Sequence, residues 1–260
     1  MHPMLNIAIR AARKAGKLIS QYYETPSIYE NKTNFISTFC RELERLIIEV
    51  IRRFYPQHSV YAEKSGELIG KNNDVKWIIN PLDSSTNFIK RFPHFSVSIG
   101  ILVKSCMTVA VIYDPMRNEL FTASRGQGAQ LNGYRLRGGT ERGIESTVLG
   151  TTFLFNTQEN SSNYISIISK LFLKCKAFRC TGSPLLDLAY VAAGRLDGFF
   201  DIALKPCSFL SGELIVREAG GWVTDFIGSH NYSVSGNIIA ANPKLLKVIV
   251  STIRNELKNF

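Results

Sequence analysis

Apolar residues recur every three or four positions along the first part of the chain. Leu5, Ala8, Ile9, Ala12, Ala15 and Ile19 share one face, which predicts an amphipathic helix near residues 3–22. A second helix is expected over 40–54, "CRELERLIIEVIRRF", with Pro56 as its stop. The period then shortens to two. Strands are expected near 60–62 and 77–79. "FSVSIGILV" and "MTVAVIYD" alternate like an antiparallel pair, with "NELFTAS" beside them. "RGQGAQLNGYRL" is rich in Gly and Asn and reads as turns. From Thr147 onward strands and helices alternate: "TVLGTTF", a helix over 164–173, "AFRCTG", a helix over 183–193, "DGFFDIAL", a helix over 212–219, "WVTDF", "NIIAAN" and a last helix opened by Pro243. Gly220-Gly221 mark a helix C-terminus and Pro243 a helix start. This alternation predicts a layered α/β architecture, one domain over 1–260 with halves at about 1–146 and 147–260.

Composition narrows the class. With 260 residues, 45% hydrophobic, the chain can bury a large core. No apolar run approaches the roughly 18–20 residues of a membrane span, so no membrane association is expected. The N-terminal segment carries its basic residues inside it and does not read as a secretory signal. The five cysteines, Cys40, Cys106, Cys175, Cys180 and Cys207, form no CxxC pair and read as reduced thiols of a cytoplasmic protein. The four histidines have no zinc spacing. The net charge of +10 suits attraction to nucleic acid or an acidic protein face, but the basic residues are dispersed. Arg10, Arg13, Lys14 and Lys17 share one face of the first helix, either a docking patch or a solvated surface.

Four stretches carry candidate chemistry. In "KWIINPLDSSTNF" a strand ends at Asn80-Pro81, and Ser84-Ser85-Thr86 can open a helix whose backbone N–H groups suit an anion. Asp83 fits equally a cation ligand or a helix cap. In "VYAEKSGE", Glu63 ends a short strand with Glu67 four residues on, and can share a metal with Asp83 or sit in solvent. In "GFFDIALKPCSFLSGELIVREAGG", Asp201 follows two aromatics at a strand end, and Ser208 stands where a helix N-cap is expected. In "FRCTGSPLLDLAYVAAGRLDGFF", Arg179 precedes the helix start at Thr181-Gly182-Ser183, suiting a phosphate or sugar hydroxyl, or a carboxylate at a subunit face.

Together these stretches resemble the inositol monophosphatase family. "WIINPLDSSTNF" is similar to its W-[IV]-[IV]-D-P-[IL]-D-G-T-T-N-F, and "AEKSGE" to its E-E-S-G-E. "YDPMRNELFTASRGQGAQLNG", "TGSPLLDLAYVAAGRLDGFF" and "GELIVREAGG" are similar to its bacterial Nus-factor branch. The resemblance implies an αβαβα sandwich, a homodimer, and Mg²⁺-dependent hydrolysis of a phosphomonoester such as inositol monophosphate. For the bacterial branch it also implies a role in ribosomal RNA transcription antitermination, with NusA and RNA polymerase as partners. By position, one metal would take Glu63, the residue at 80 and the Leu82 carbonyl; a second would take position 80, Asp83 and position 208. The hydroxyl of Ser85, with an acid at position 40, would orient water. The backbone of Ser84 and Ser85 would hold phosphate, which Leu82 and Asp83 adjoin, and Arg179 and Asp201 would face the substrate.

The chain departs from that pattern where charge matters. Cys40, Asn80 and Ser208 stand at three positions where the family pattern has acids, and Ser84 and Ser85 replace Gly and Thr. Of about four metal-core carboxylates, Glu63 and Asp83 remain. Two Mg²⁺ ions about 4 Å apart repel strongly without anionic ligands. Asn80 offers a neutral oxygen, and Ser208 is short. The expectation is a failed second metal site, a weakly occupied first one, and phosphatase activity weakened or lost.

Overall fold

The computed structural model describes residues 3–25, 32–139, 143–152 and 161–257. Two helices come first, α1 (Pro3–Glu24) and α2 (Lys32–Phe54). Eight strands then form one sheet: β1 (His58–Ala62), β2 (Gly66–Leu68), β3 (Asn72–Asp83), β4 (Ser96–Val103), β5 (Cys106–Asp114), β6 (Glu119–Ser124), β7 (Gly128–Leu131) and β8 (Tyr134–Arg135). The short helix α3 (Ser85–Ile89) interrupts them after β3. The sheet order is β2-β1-β3-β4-β5-β6-β7-β8, antiparallel except where β1 runs parallel to β3.

The second part supplies β9 (Val148–Thr151), α4 (Ser161–Phe172), β10 (Ala177–Cys180), α5 (Pro184–Ala192), β11 (Gly198–Asp201), α6 (Leu210–Glu218), β12 (Trp222–Thr224), α7 (Tyr232–Ser235), β13 (Ile238–Ala241) and α8 (Pro243–Leu257). Its five strands are ordered β10-β9-β11-β13-β12.

Three apolar clusters fix the layers. The alanine-rich face of α1 (Ala8, Ala11, Ala12, Ala15) and the Phe39, Leu43, Ile47 face of α2 bury one side of the large sheet. Small residues let α1 lie close to it. The other side, through Ala110, Ile112 and Phe121, packs on α5 and α6. Leu185, Leu188, Leu214 and Ile215 of those helices also reach Phe199 and Ala240 of the small sheet. Tyr164, Leu171, Leu245 and Ile249 of α4 and α8 cover the far side of that sheet. The stack is helices, sheet, helices, sheet, helices: the expected αβαβα sandwich. A helix pair buried on both faces explains why α5 is apolar almost all round, with eight of its nine residues buried.

Three local expectations change. α2 begins at Lys32 rather than 40. The weak helix formers Thr33, Asn34, Ser37 and Thr38 hide it from the sequence, while Tyr22 packs on Phe35 and Phe39 at ring distances of 6.0 and 4.6 Å. "RGQGAQLNGYRL" is not all turn: Asn132 (φ 50°) and Gly133 (φ 85°) make the tight hairpin between β7 and β8, a turn that needs two left-handed residues. The strand expected at 77–79 runs from Asn72 to Asp83.

Candidate active site

β3 carries the central stretch to the seam between the two sheets. Its residues from Trp77 to Asp83 are all buried. Pro81 lacks a backbone N–H, and the pairing with β4 slips by one residue between Asn80↔Ser98 and Asp83↔Ser96. This bulge bends the strand end. Ser84 follows in the left-handed region (φ 64°), and α3 starts at Ser85 with no side-chain cap.

A cavity of about 330 Å³ lies at this strand end. Glu63, Asn80, Leu82, Asp83, Ser84, Ser85 and Ser208 all line it, so seven of the residues singled out in the sequence meet in one place. Arg179 and Asp201 are not among its lining residues. Arg179 is exposed and donates to its neighbour's carbonyl, Phe178 O, at 3.0 Å. Asp201 is buried and accepts from the Ile202 N–H at 2.9 Å, the Tyr164 hydroxyl at 3.1 Å and the Thr152 hydroxyl. Burial raises the Asp201 carboxyl above its ordinary range, and those donors oppose it.

Asp83 does cap a helix, although not the one that follows it in sequence. Its Oδ2 accepts the Ser183 hydroxyl at 2.5 Å and the Leu185 N–H at 3.2 Å, closing the N-terminus of α5. The bond crosses a hundred residues of chain. Burial pushes this carboxyl up to about 7 against the pull of those two donors, and Glu63 adds to the rise. Asn80 is 2% exposed, and its Oδ1 has no hydrogen-bond partner. Ser208 ends the short turn Pro206–Ser208; Phe209, not Ser208, occupies the N-cap position of α6, which corrects the capping expectation.

Two residues went unnoticed in the sequence. Lys64 also lines the cavity, and its Nζ lies 2.7 Å from Glu63 Oε1. Glu44, fully buried in α2, accepts the Lys64 N–H at 2.7 Å, the Ser65 N–H at 3.0 Å and the Ser65 hydroxyl at 2.5 Å. It lies one turn beyond Cys40 and holds the 64–65 turn in place. The signal was available: Glu44 is an acid on the apolar stripe of α2, between Leu43 and Ile47. Cys40 itself is buried, and its thiol is pushed up to about 12 by burial, with Lys64 opposing and Glu63 and Glu44 adding. Burial, then Glu63, raises Cys207 to about 11. A buried thiol raised in this way carries little thiolate at neutral pH. Glu67 pairs with Lys76 at 2.5 Å, apart from the cavity.

The donor set does not fit a pair of divalent ions. Among the described residues no group of three or more His, Cys, Asp or Glu is placed to hold a metal. Of the two carboxylates at the cavity, Glu63 is engaged by an ammonium and Asp83 by two donors from α5. The orphaned Asn80 Oδ1 can ligate but brings no charge.

Comparison with known proteins gives one consistent result. The model of the "Inositol monophosphatase family" matches residues 1–258. The Nus factor SuhB of Escherichia coli (strain K12) is 57% identical over 263 residues, covering 100% of this chain and 98% of that protein. Among solved structures, the extragenic suppressor protein suhB from Bartonella henselae superposes with a TM-score of 0.91 at 33% identity, over 97% of this chain and 98% of that one. An inositol monophosphatase from Anabaena gives 0.87 at 32%, over 97% and 95%.

Proposed function

The chain belongs to the inositol monophosphatase family, and on that premise we propose that it acts as a Nus-factor-type protein in ribosomal RNA transcription antitermination. In this reading it works in the bacterial cytoplasm as a homodimer, contacts NusA and RNA polymerase, and has weakened or no phosphatase activity. The observation that carries the reading is 57% identity, end to end, with a protein named as a Nus factor. The carboxylate-poor cavity agrees with it, because transcription-complex assembly makes no demand on a metal site. Among the described residues no helix is long and apolar enough to cross a membrane. The test is co-purification of the tagged chain with purified NusA and RNA polymerase, together with an antitermination reporter in cells lacking their own Nus factor of this kind. Binding with restored read-through is the expected result. Failure of both removes the reading.

A second reading, an active Mg²⁺-dependent inositol-1-monophosphatase, draws on one observation: Glu63, Asn80, Asp83 and Ser85 line a single cavity. Glu63, Asp83 and Ser85 would then carry hydrolysis, Leu82, Ser84 and Ser85 would border the phosphate, and Arg179 and Asp201 would serve the substrate side. Phosphate release from inositol 1-phosphate, well above that of an Asp83→Ala control, is the result that would favour it.

A further inference from the structure

Lys64 is where the cavity departs most from a metal centre. Its Nζ sits 2.7 Å from Glu63 Oε1, and both side chains line the cavity. The Lys64 side chain is 33% exposed, and its backbone is held by the Glu44 carboxylate, which accepts the 64 and 65 amides. Glu44 is fully buried, so the anchor is shielded from water. The ammonium is thus a built-in cation on Glu63, whereas Asp83, the other acid at the cavity, is engaged by Ser183 and Leu185. We propose that Lys64 stands in the electrostatic place of a divalent metal at Glu63, and that the cavity takes up a phosphate-type anion without any metal.

The chemistry of the lining supports an anion. An ammonium has three N–H donors, and the bond to Glu63 uses one. Lys205 lines the same cavity and brings a second positive charge. Ser84, Ser85, Thr86 and Ser208 also line the cavity, and a hydroxyl is able to donate to a phosphate oxygen. Two lysines therefore face the two acids before any ion binds. A divalent ion entering at Glu63 would have to displace Lys64 or lie against its positive charge, and like charges a few ångströms apart in a partly buried site repel by several kcal/mol. An entering phosphate meets the opposite situation: charge-assisted bonds to ammonium groups already in place. The inference rests on the weakened-phosphatase part of the proposed function and not on the transcription role, so failed co-purification with NusA and polymerase would leave it standing.

The test is calorimetric titration of the full chain with inorganic phosphate, in EDTA and again in excess Mg²⁺, beside Lys64→Met and Lys64→Arg. The native chain is expected to bind phosphate equally in both buffers. Lys64→Met is expected to weaken binding about ten-fold or more, as for loss of one charge-assisted contact, and Lys64→Arg to restore most of it. A Lys64→Glu chain should acquire a Mg²⁺-dependent rise in melting temperature that the native chain lacks. Phosphate binding by the native chain only in Mg²⁺, no measurable binding in either buffer, or unchanged binding by a folded Lys64→Met chain would each overturn the proposal. The comparison of the native chain in two buffers requires no variant to fold.

Discussion

Replacing Asn80 by Asp tests the charge argument at its most sensitive point. Asn80 is 2% exposed, its Oδ1 has no partner, and it lines the same cavity as Glu63 and Asp83. Asn80→Asp therefore adds a buried carboxylate with no donor waiting for it, beside two other acids. An uncompensated buried charge of this kind costs about 3–5 kcal/mol. For a chain of this size each kcal/mol moves the melting temperature by roughly 2–4 °C, so in EDTA the variant should melt about 6–20 °C below the native chain. The same carboxylate gives the cavity a third acid, and with it a reason to bind Mg²⁺. At a free concentration a hundred times the Kd, binding restores about 2.7 kcal/mol, roughly half or more of the loss. Differential scanning calorimetry in EDTA and in excess Mg²⁺ reads both quantities. The native chain should show no Mg²⁺ shift and the variant a large one. A variant as stable as the native chain in EDTA would refute the buried-charge reasoning. A native chain that gains several degrees from Mg²⁺ would show that two carboxylates are enough.

Three further outcomes follow from geometry outside the cavity. Glu44→Ala strips the acceptor from the Lys64 and Ser65 N–H groups and the Ser65 hydroxyl, and should cost about 2–4 kcal/mol in urea denaturation; an unchanged midpoint would mean that water takes over those bonds without penalty. A Cβ on Gly212 would lie 2.6 Å from Leu188 Cβ, so Gly212→Ala should lose about 1–3 kcal/mol through overpacking of α5 on α6, despite the better helix propensity of alanine; a raised melting temperature would contradict it. Burial, aided by the Arg117 charge, lowers the His94 imidazole to about 4. The unfolded chain takes up this proton near pH 6.5 while the folded chain resists, so His94 contributes stability above pH 6.5 that is lost as pH falls towards 4, up to about 3 kcal/mol. Melts between pH 8 and 5 should show this slope, and His94→Gln should flatten it; an identical slope in the variant would assign the effect to another group.

Much of this fold is written in local pattern, and the places where it is not share a cause. The α1 stripe and the alternating β4–β5 pair could be read because each buries one face against a single neighbour, which leaves a clean period. β3 was underestimated because it is buried on both sides from Trp77 to Asp83, so its apolar run carries no alternation, and Pro81 suggested an end where the strand only bulges. The N-terminal turns of α2 depend on Tyr22 and Phe88, ring partners that are distant in sequence. Of the residues that motif resemblance singled out, Glu63, Asn80, Leu82, Asp83, Ser84, Ser85 and Ser208 line one cavity, and Arg179 and Asp201 do not. The resemblance missed Lys64, because a lysine beside a glutamate reads as a solvated loop pair until the burial of Glu44 fixes its backbone. Whether Asp83 is a ligand or a cap could not be decided locally, because the helix it caps begins a hundred residues later.

That last bond has a consequence for how the protein comes into being. Asp83 with Ser183, and Asn87 Nδ2 with the Thr181 carbonyl at 2.8 Å, join segments 100 and 94 residues apart in sequence. Contacts of such sequence separation carry a large loop-closure entropy and form slowly. On the ribosome, every strand of the first sheet is synthesised before residue 183. During that interval Asp83 has no helix to cap and the cavity has only one wall. The pocket is therefore a late product of biogenesis, absent from any N-terminal fragment, and its appearance marks the moment at which the two sheets have docked.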